Sequence, residues 1–172
     1  MQTKKSENVI NNPFYFYGHT DKSGDSKCLS NWYPAKFVDE NGNQFHHSEQ
    51  YMMYQKAILF KDQQKAKEIL ETESPKIAKQ KGRQVKNFVK EVWDANARDI
   101  VFKGCLLKFS QNEDMKSYLL STGNRHLAEA SPFDRIWGIG IGIKKANEGY
   151  EWRGRNWLGE CLMKVRTTLN NS

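Results

Sequence analysis

His46-His47-Ser48-Glu49-Gln50-Tyr51-Met52-Met53-Tyr54-Gln55-Lys56-Ala57 reads as a helix carrying an acid and an amine on one face. Successive helical residues advance by about 100°, so Glu49 and Lys56 fall nearly in line, roughly 10 Å apart, with Met52 and Met53 packed between them. A bound sugar fits along such a row. The same pattern also suits a surface carboxylate and a surface lysine on an ordinary amphipathic helix, and the run by itself leaves both readings open. Just upstream, Asn41-Gly42 is a tight-turn dipeptide. The flanking Lys36-Phe37-Val38 and Gln44-Phe45-His46 make it a small hairpin that leads into the helix.

Helices dominate the chain beyond the hairpin. The first runs from Ser48 to Phe60, and the second from Asp62 to Glu71 with Asp62 as N-cap. A short third has Ser74 as N-cap, Pro75 at its first position and Gly82 near its end. From Glu91 to Phe109 the residues Val101, Cys105 and Phe109 share one face while Phe102 and Leu106 occupy the next, so this reads as a central helix buried on most sides. Asn112 can cap a helix through Leu120 that stops near Gly123. Leu158, Leu162, Val165 and Leu169 make the stripe of a closing helix. At the other end, Phe14-Tyr15-Phe16-Tyr17 is a short aromatic strand and Gly18 to Lys27 a polar loop. Asn124 to Gly149 reads as irregular and Gly-rich. There is no internal repeat and no low-complexity segment. The expected fold is therefore α+β, mostly helical with a small antiparallel sheet, in one domain over 13–172 behind a flexible tail at 1–12.

At 172 residues the chain is long enough to bury a core without disulfides or a structural metal. Its formal net charge of +7 and pI near 9.2 point to an anionic partner. The stretch from Lys61 to Lys90 holds nine Lys or Arg against four acids. Phosphate is the anion such a surface suits best, although solvated helix faces account for the same composition. Cys28, Cys105 and Cys161 are an odd, widely spaced set, which argues against a disulfide framework or a zinc site and for a reducing compartment. The polar start Met1-Gln2-Thr3-Lys4-Lys5-Ser6-Glu7 has no apolar signal region, and no later run is long enough to span a bilayer. A cytoplasmic location without a membrane partner is expected.

Several segments outside the first helix carry candidate binding groups. Ser131-Pro132-Phe133-Asp134-Arg135-Ile136-Trp137-Gly138-Ile139-Gly140-Ile141-Gly142 gathers an acid, a guanidinium, an indole and three glycines into one loop. Its alternating glycines are not the dinucleotide fingerprint, and no helix is expected to open after them. Trp137 as core filling and Asp134 paired with Arg135 is the competing reading. Leu29-Ser30-Asn31-Trp32-Tyr33-Pro34 sets an amide beside aromatics, suited to a ribose hydroxyl or a base edge and equally to a turn with an aromatic anchor. Trp93 stands ahead of Arg98 at the head of the central helix, where an indole can stack on a base and a guanidinium meet a phosphate, or simply pack. His46 and His47 are adjacent at a strand end, with no second cluster to complete a ligand set, so no metal is assigned. Nothing around the Ser, His and Cys residues resembles a nucleophile elbow.

Taken in order, these segments resemble the NADAR family of YbiA-like N-glycosidases from about Phe14 to Leu169. The matching motifs are Leu29-Ser30-Asn31-Trp32-Tyr33-Pro34, the Ser48 to Ala57 run, Gly82-Arg83, Val92-Trp93, Lys108-Phe109-Ser110-Gln111-Asn112, Glu129 to Gly140, and Asn156-Trp157-Leu158-Gly159. The resemblance implies cleavage of an N-glycosidic bond at a ribose anomeric carbon, without a cofactor. Its implied substrates are phosphoribosylamino-pyrimidine intermediates of riboflavin synthesis or ADP-ribose attached to guanine in DNA or RNA. It further implies that Glu49, Lys56, Trp93 and Asp134 line the pocket. Trp32 stands where the family often has Phe, and Trp157 where it often has Leu.

Within that resemblance, a lysine desolvated beside Met52 and Met53 becomes a nucleophile able to form a Schiff base with an opened sugar, and Glu49 shuttles protons. Asp134 holds a ribose hydroxyl or steadies positive charge on the sugar, while Trp93 and Trp137 grip the base or ring. Asn31, Trp32, Arg135 and Gly138 are further binding candidates, with Arg98 and Arg125 for phosphate. Two rival classes remain: a non-catalytic ADP-ribose reader, which has no need of both Glu49 and Lys56, and a nucleic-acid-binding module that uses the Lys61 to Lys90 stretch.

Overall fold

The computed structural model describes residues 12–172. The expected tail over 1–12 lies almost wholly outside them. In chain order the elements are β1 (Phe14–Phe16), a run of 3-10 turns (Asp21–Leu29), β2 (Phe37–Val38), β3 (Gln44–Phe45), α1 (Ser48–Leu59), α2 (Gln63–Leu70) and α3 (Pro75–Gly82). They continue with α4 (Lys90–Ser110), α5 (Glu113–Ser121), β4 (Leu127–Glu129), α6 (Ile143–Asn147) and α7 (Trp157–Asn170). The described residues divide into two compact units, Asn31–Lys116 and the pair of segments 12–30 with Ser117–Ser172. Helices dominate and the sheet is small, an α+β architecture.

In the unit Asn31–Lys116, β2 and β3 pair antiparallel with Phe37 opposite Phe45 and Val38 opposite Gln44. Gly42 supplies the positive φ of 81° that the turn requires. Asp39 organises the loop, its Oδ1 accepting from the backbone N–H groups of Asn41 and Asn43 at 3.0 and 2.9 Å. The helix caps follow the sequence. Asp62 Oδ1 accepts from Lys65 N at 3.0 Å, Ser74 Oγ accepts from Ile77 N at 3.3 Å, and Pro75 opens α3. The cap of α1 is less expected: His47 Nδ1 accepts from Gln50 N at 3.0 Å.

Phe37, Phe45 and Tyr51 form the aromatic heart of this unit, with Tyr54, Leu70, Ile100 and Leu107 packed around it. Gly104 admits Tyr51, since a Cβ there would lie 2.5 Å from the Tyr51 ring. On α4 the buried residues are Ala97, Val101, Gly104, Cys105, Lys108 and Phe109. Phe102 and Leu106 are half-buried and from Ile100 to Phe109 only Lys103 is exposed, whereas Lys90, Glu91, Val92, Ala95, Arg98 and Asp99 are exposed, so the helix is buried on most sides over its second half and open over its first.

The other unit departs more from expectation. β1 pairs with β4 in parallel, Phe14 opposite Leu127 and Phe16 opposite Glu129, so among the described residues only the β2–β3 pair is antiparallel. The segment read as a polar loop up to Lys27 is wound into 3-10 turns, closed by an ion pair from Lys27 Nζ to Asp21 Oδ1 at 2.7 Å. The segment read as irregular contains β4 and the five-residue helix α6, which opens directly after Gly142. Ala128, Ala130, Ile139, Ile141 and Ala146 pack together there under Tyr15, Tyr150 and Trp152. α7 buries Leu158, Leu162, Val165 and Leu169 as the stripe predicts.

Asn156 fastens the start of α7. It adopts a left-handed φ of 55°, its Nδ2 donates to Leu127 O at 2.9 Å, and its Oδ1 accepts from Glu129 N at 3.1 Å. Gly159 completes the joint, because a Cβ there would sit 2.1 Å from the carbonyl oxygen of Leu127. That oxygen is backbone and cannot swing away. Gly159→Ala is therefore expected to cost about 2 kcal/mol or more, read as a fall in the urea midpoint at unchanged m-value.

Candidate active site

On α1 the face bearing residues 49, 52, 53 and 56 is set by its neighbours. Gln50, Tyr51 and Ala57 are buried, and Gly82 at the end of α3 lies directly on Met53: a Cβ on Gly82 would come within 1.9 Å of Met53 Sδ. Glu49 is 5% exposed, and its backbone N–H donates to Asn31 O at 2.9 Å. Asn31 is itself buried, its Oδ1 accepting from Cys105 Sγ at 3.8 Å. The Asn31 side chain and backbone thus join the segment before the hairpin to α4 and to the first turn of α1.

Lys56 is half-buried. Its Nζ lies 4.6 Å from the ring centroid of Phe88 and 5.6 Å from that of Trp93. Phe88 is braced edge-on by Phe60 at 5.3 Å. Burial pulls the proton affinity of Lys56 below that of a free lysine, Glu49 works against that pull, and the Arg83 guanidinium adds to it. Glu49, Lys56 and Trp93, singled out in the sequence, thus come together with two groups it left without a role. Arg83 was visible only as half of the Gly82-Arg83 motif. Phe88 carried no periodic or motif signal, since it stands in the connection before α4.

Trp32 is half-buried, with Lys79 Nζ 5.9 Å from its ring centroid. Arg98 stands exposed on α4. His46 and His47 are occupied structurally. His47 Nε2 meets Glu73 O at 3.0 Å while its other ring nitrogen caps α1, and His46 Nε2 lies 3.4 Å from the Glu73 carboxylate. Among the described residues no group of three or more His, Cys, Asp or Glu could hold a metal ion.

Asp134, Arg135, Trp137 and Gly138 belong to the other unit. Asp134 Oδ1 accepts from the N–H groups of Ile136 and Trp137 at 2.9 and 2.8 Å, a turn made by the carboxylate itself rather than a pairing with Arg135. Gly138 allows the turn to close, because a Cβ there would lie 2.9 Å from Asp134 O. The loop is laced to the start of α7 through Trp157 N to Ile136 O and Leu158 N to Trp137 O, both at 3.1 Å. Trp137 is half-buried and meets Trp157 edge-on at 5.6 Å, while Arg135 is exposed. Arg125 has another occupation: its Nε and Nη2 donate to Asn12 O and Pro13 O at 3.2 and 2.9 Å, and the guanidinium lies over Phe14. It anchors the start of β1.

The first helix therefore defines a protein with a buried carboxylate and a dehydrated amine along one face, a combination suited to acid–base and imine chemistry. The chain belongs to the NADAR family, whose domain model it matches over residues 15–170. It is 42% identical over 158 residues to N-glycosidase R617 of Acanthamoeba polyphaga mimivirus, covering 88% of this chain and 93% of that protein. It is 30% identical to riboflavin biosynthesis protein VVA0006 of Vibrio vulnificus, over 94% of this chain but 40% of the longer relative. The solution structure of E. coli YbiA superposes with a TM-score of 0.76 at 26% identity, covering 95% of this chain and 88% of that one.

Since the Glu49 carboxylate holds the Lys56 proton on, Glu49→Gln is expected to lower the proton affinity of Lys56 further. Reductive methylation with formaldehyde and a borohydride, mapped by mass spectrometry across pH, reads this as a midpoint moved down. A midpoint moved up would reverse the sign of the coupling.

Proposed function

We propose that this chain is an N-glycosidase that hydrolyses the bond between a ribose anomeric carbon and a base nitrogen. The observation that carries the reading is the half-buried Lys56 amine, within 4.6 Å of the Phe88 ring and 5.6 Å of the Trp93 ring, on the helix face that also bears buried Glu49. The names of the relatives, one an N-glycosidase and one a riboflavin biosynthesis protein, support it. The substrates we propose are ADP-ribose on guanine in nucleic acid and phosphoribosylamino-pyrimidine intermediates of riboflavin synthesis. Both present a ribosyl carbon bonded to nitrogen.

In this scheme the glycosylamine opens, and the neutral Lys56 nitrogen adds to the former anomeric carbon. The bond to the base nitrogen breaks as that nitrogen takes a proton from the Glu49 carboxyl, leaving an imine between sugar and Lys56. Water, activated by the Glu49 carboxylate, then adds to the imine carbon; expulsion of the amine regenerates Lys56 and frees the sugar as its aldehyde. Trp93 offers a face to the leaving base. A protein that only reads ADP-ribose has no use for the dehydrated amine. No helix among the described residues is long and apolar enough to cross a membrane.

The test is incubation with an ADP-ribosylated guanine oligonucleotide and with the riboflavin intermediate, with mass spectrometric detection of the freed sugar phosphate. Glu49→Gln should keep fold and binding while turnover drops about 100-fold or more, the usual scale of an acid–base group. Borohydride added during turnover should leave a sugar adduct on Lys56 that Lys56→Arg abolishes, because a guanidinium keeps its proton. Normal turnover with no trapped adduct would replace the imine by direct attack of water with Glu49 as base.

A further inference from the structure

Arg83 caps the C-terminal end of α3, donating its backbone N–H to Lys79 O at 3.2 Å. Its position relative to α1 is set by Gly82, whose lack of a side chain lets the end of α3 close on Met53. Met53 lies one turn from both Glu49 and Lys56, so the residue after Gly82 stands beside the face that bears them. Its charge is felt at Lys56.

Two further features set this arginine apart. From Ser74 to Lys90 the sequence carries Lys76, Lys79, Lys81, Arg83, Lys86 and Lys90 and no acidic residue. Lys81 and Lys90 pair with Glu68 and Asp94, whereas among the described residues Lys76, Lys79, Arg83 and Lys86 make no ion pair, and of these four it is Arg83 whose charge bears on Lys56. Arg83 is exposed, and its planar fork matches a phosphate better than any ammonium does.

We propose that Arg83 receives the phosphate of the ribosyl substrate and so fixes the sugar along the Glu49 to Lys56 row. This rests on the N-glycosidase reading for the identity of the sugar, while the anion site itself stands on the placement of Arg83. The phosphate can be a monophosphate or part of a diphosphate, and the two give distinct arms to the experiment.

Calorimetric titration with ribose 5-phosphate, ADP-ribose and unphosphorylated ribose reads binding without turnover. Wild type should prefer both phosphorylated sugars to ribose. R83Q, its fold confirmed by an unchanged melting transition, should lose affinity for them by about 10-fold or more, the scale of a charge-assisted contact. R83K, which keeps the charge at the helix end but not the fork, should be intermediate. A loss confined to ADP-ribose assigns Arg83 to a diphosphate.

Reductive methylation supplies a readout that a merely structural role would not move. The Lys56 midpoint should rise in R83Q and stay in place in R83K. The groups that bear on that midpoint are Glu49 from α1 and Arg83 from the end of α3, with Phe88 and Trp93 as the aromatic walls. An unchanged phosphate preference in folded R83Q overturns the proposal and leaves the N-glycosidase reading intact. Arg83-dependent binding in a protein that releases no base supports the anion site and unseats the N-glycosidase reading instead.

Discussion

The carboxamide of Gln50 is the constraint on which the placement of the acid and the amine depends. It is fully buried. Its Nε2 donates to Ile69 O, Leu70 O and Thr72 O at 3.0, 3.3 and 2.8 Å, and its Oε1 accepts from His46 N at 2.7 Å. The first two carbonyls belong to the last turn of α2, where a helix leaves its oxygens without partners of its own. Ile69 O also accepts from Thr72 N at 3.4 Å, so rotation of α1 would forfeit the contacts of Gln50 with Leu70 O and Thr72 O above all, and a carbonyl left buried without a partner costs about 1–3 kcal/mol. With Gln50 turned to α2, the adjacent face carrying residues 49, 53 and 56 is left to meet α3 and the segment before α4.

Close approach then does the rest. Gly82 and Gly104 each stand where any side chain would collide with α1, the first with Met53 and the second with Tyr51. These contacts bring Arg83 and the start of α4 near the amine, and Phe88 reaches it from the connection between α3 and α4. The residues that make Lys56 unusual therefore come from three stretches of sequence, whereas those that orient α1 are mostly its own.

That division explains what the sequence revealed. α1, the caps at Asp62 and Ser74, the Asn41-Gly42 hairpin and the stripe of α7 were legible because each is written in residues a few positions apart. β4 was not. Its partner β1 lies more than a hundred residues away, a parallel pair needs no local turn, and Leu127-Ala128-Glu129 is too short for alternation to show. Glu49 and Lys56 could be paired by helical spacing, and Trp93 by its motif. Phe88 could not, because its exposure of 44% and its place in a loop mark it as unremarkable until Lys56 is seen beneath it. Arg125 misled for a related reason: an arginine near a loop suggests a phosphate, yet here the nearest acceptors are the carbonyls of Asn12 and Pro13. The Asp134 turn was equally hidden, since a carboxylate that accepts from amides two and three residues on looks in sequence like one that pairs with its neighbour.

The aromatic walls have a second consequence for the proposed chemistry. Phe88 and Trp93 stand 4.6 and 5.6 Å from the half-buried amine, and its burial penalises a compact ammonium whose charge demands strong hydration. The same ring faces attract cations, and most favourably those that need little water. A protonated imine spreads its charge over carbon and nitrogen and asks for fewer hydrogen bonds than the lysine from which it forms. An environment that disfavours the resting ammonium more than the imine lowers the barrier between them, because only the difference between the two states counts in the rate. Dehydration of Lys56 and aromatic contact with it thus act together, one releasing the nucleophile and the other accommodating the covalent product.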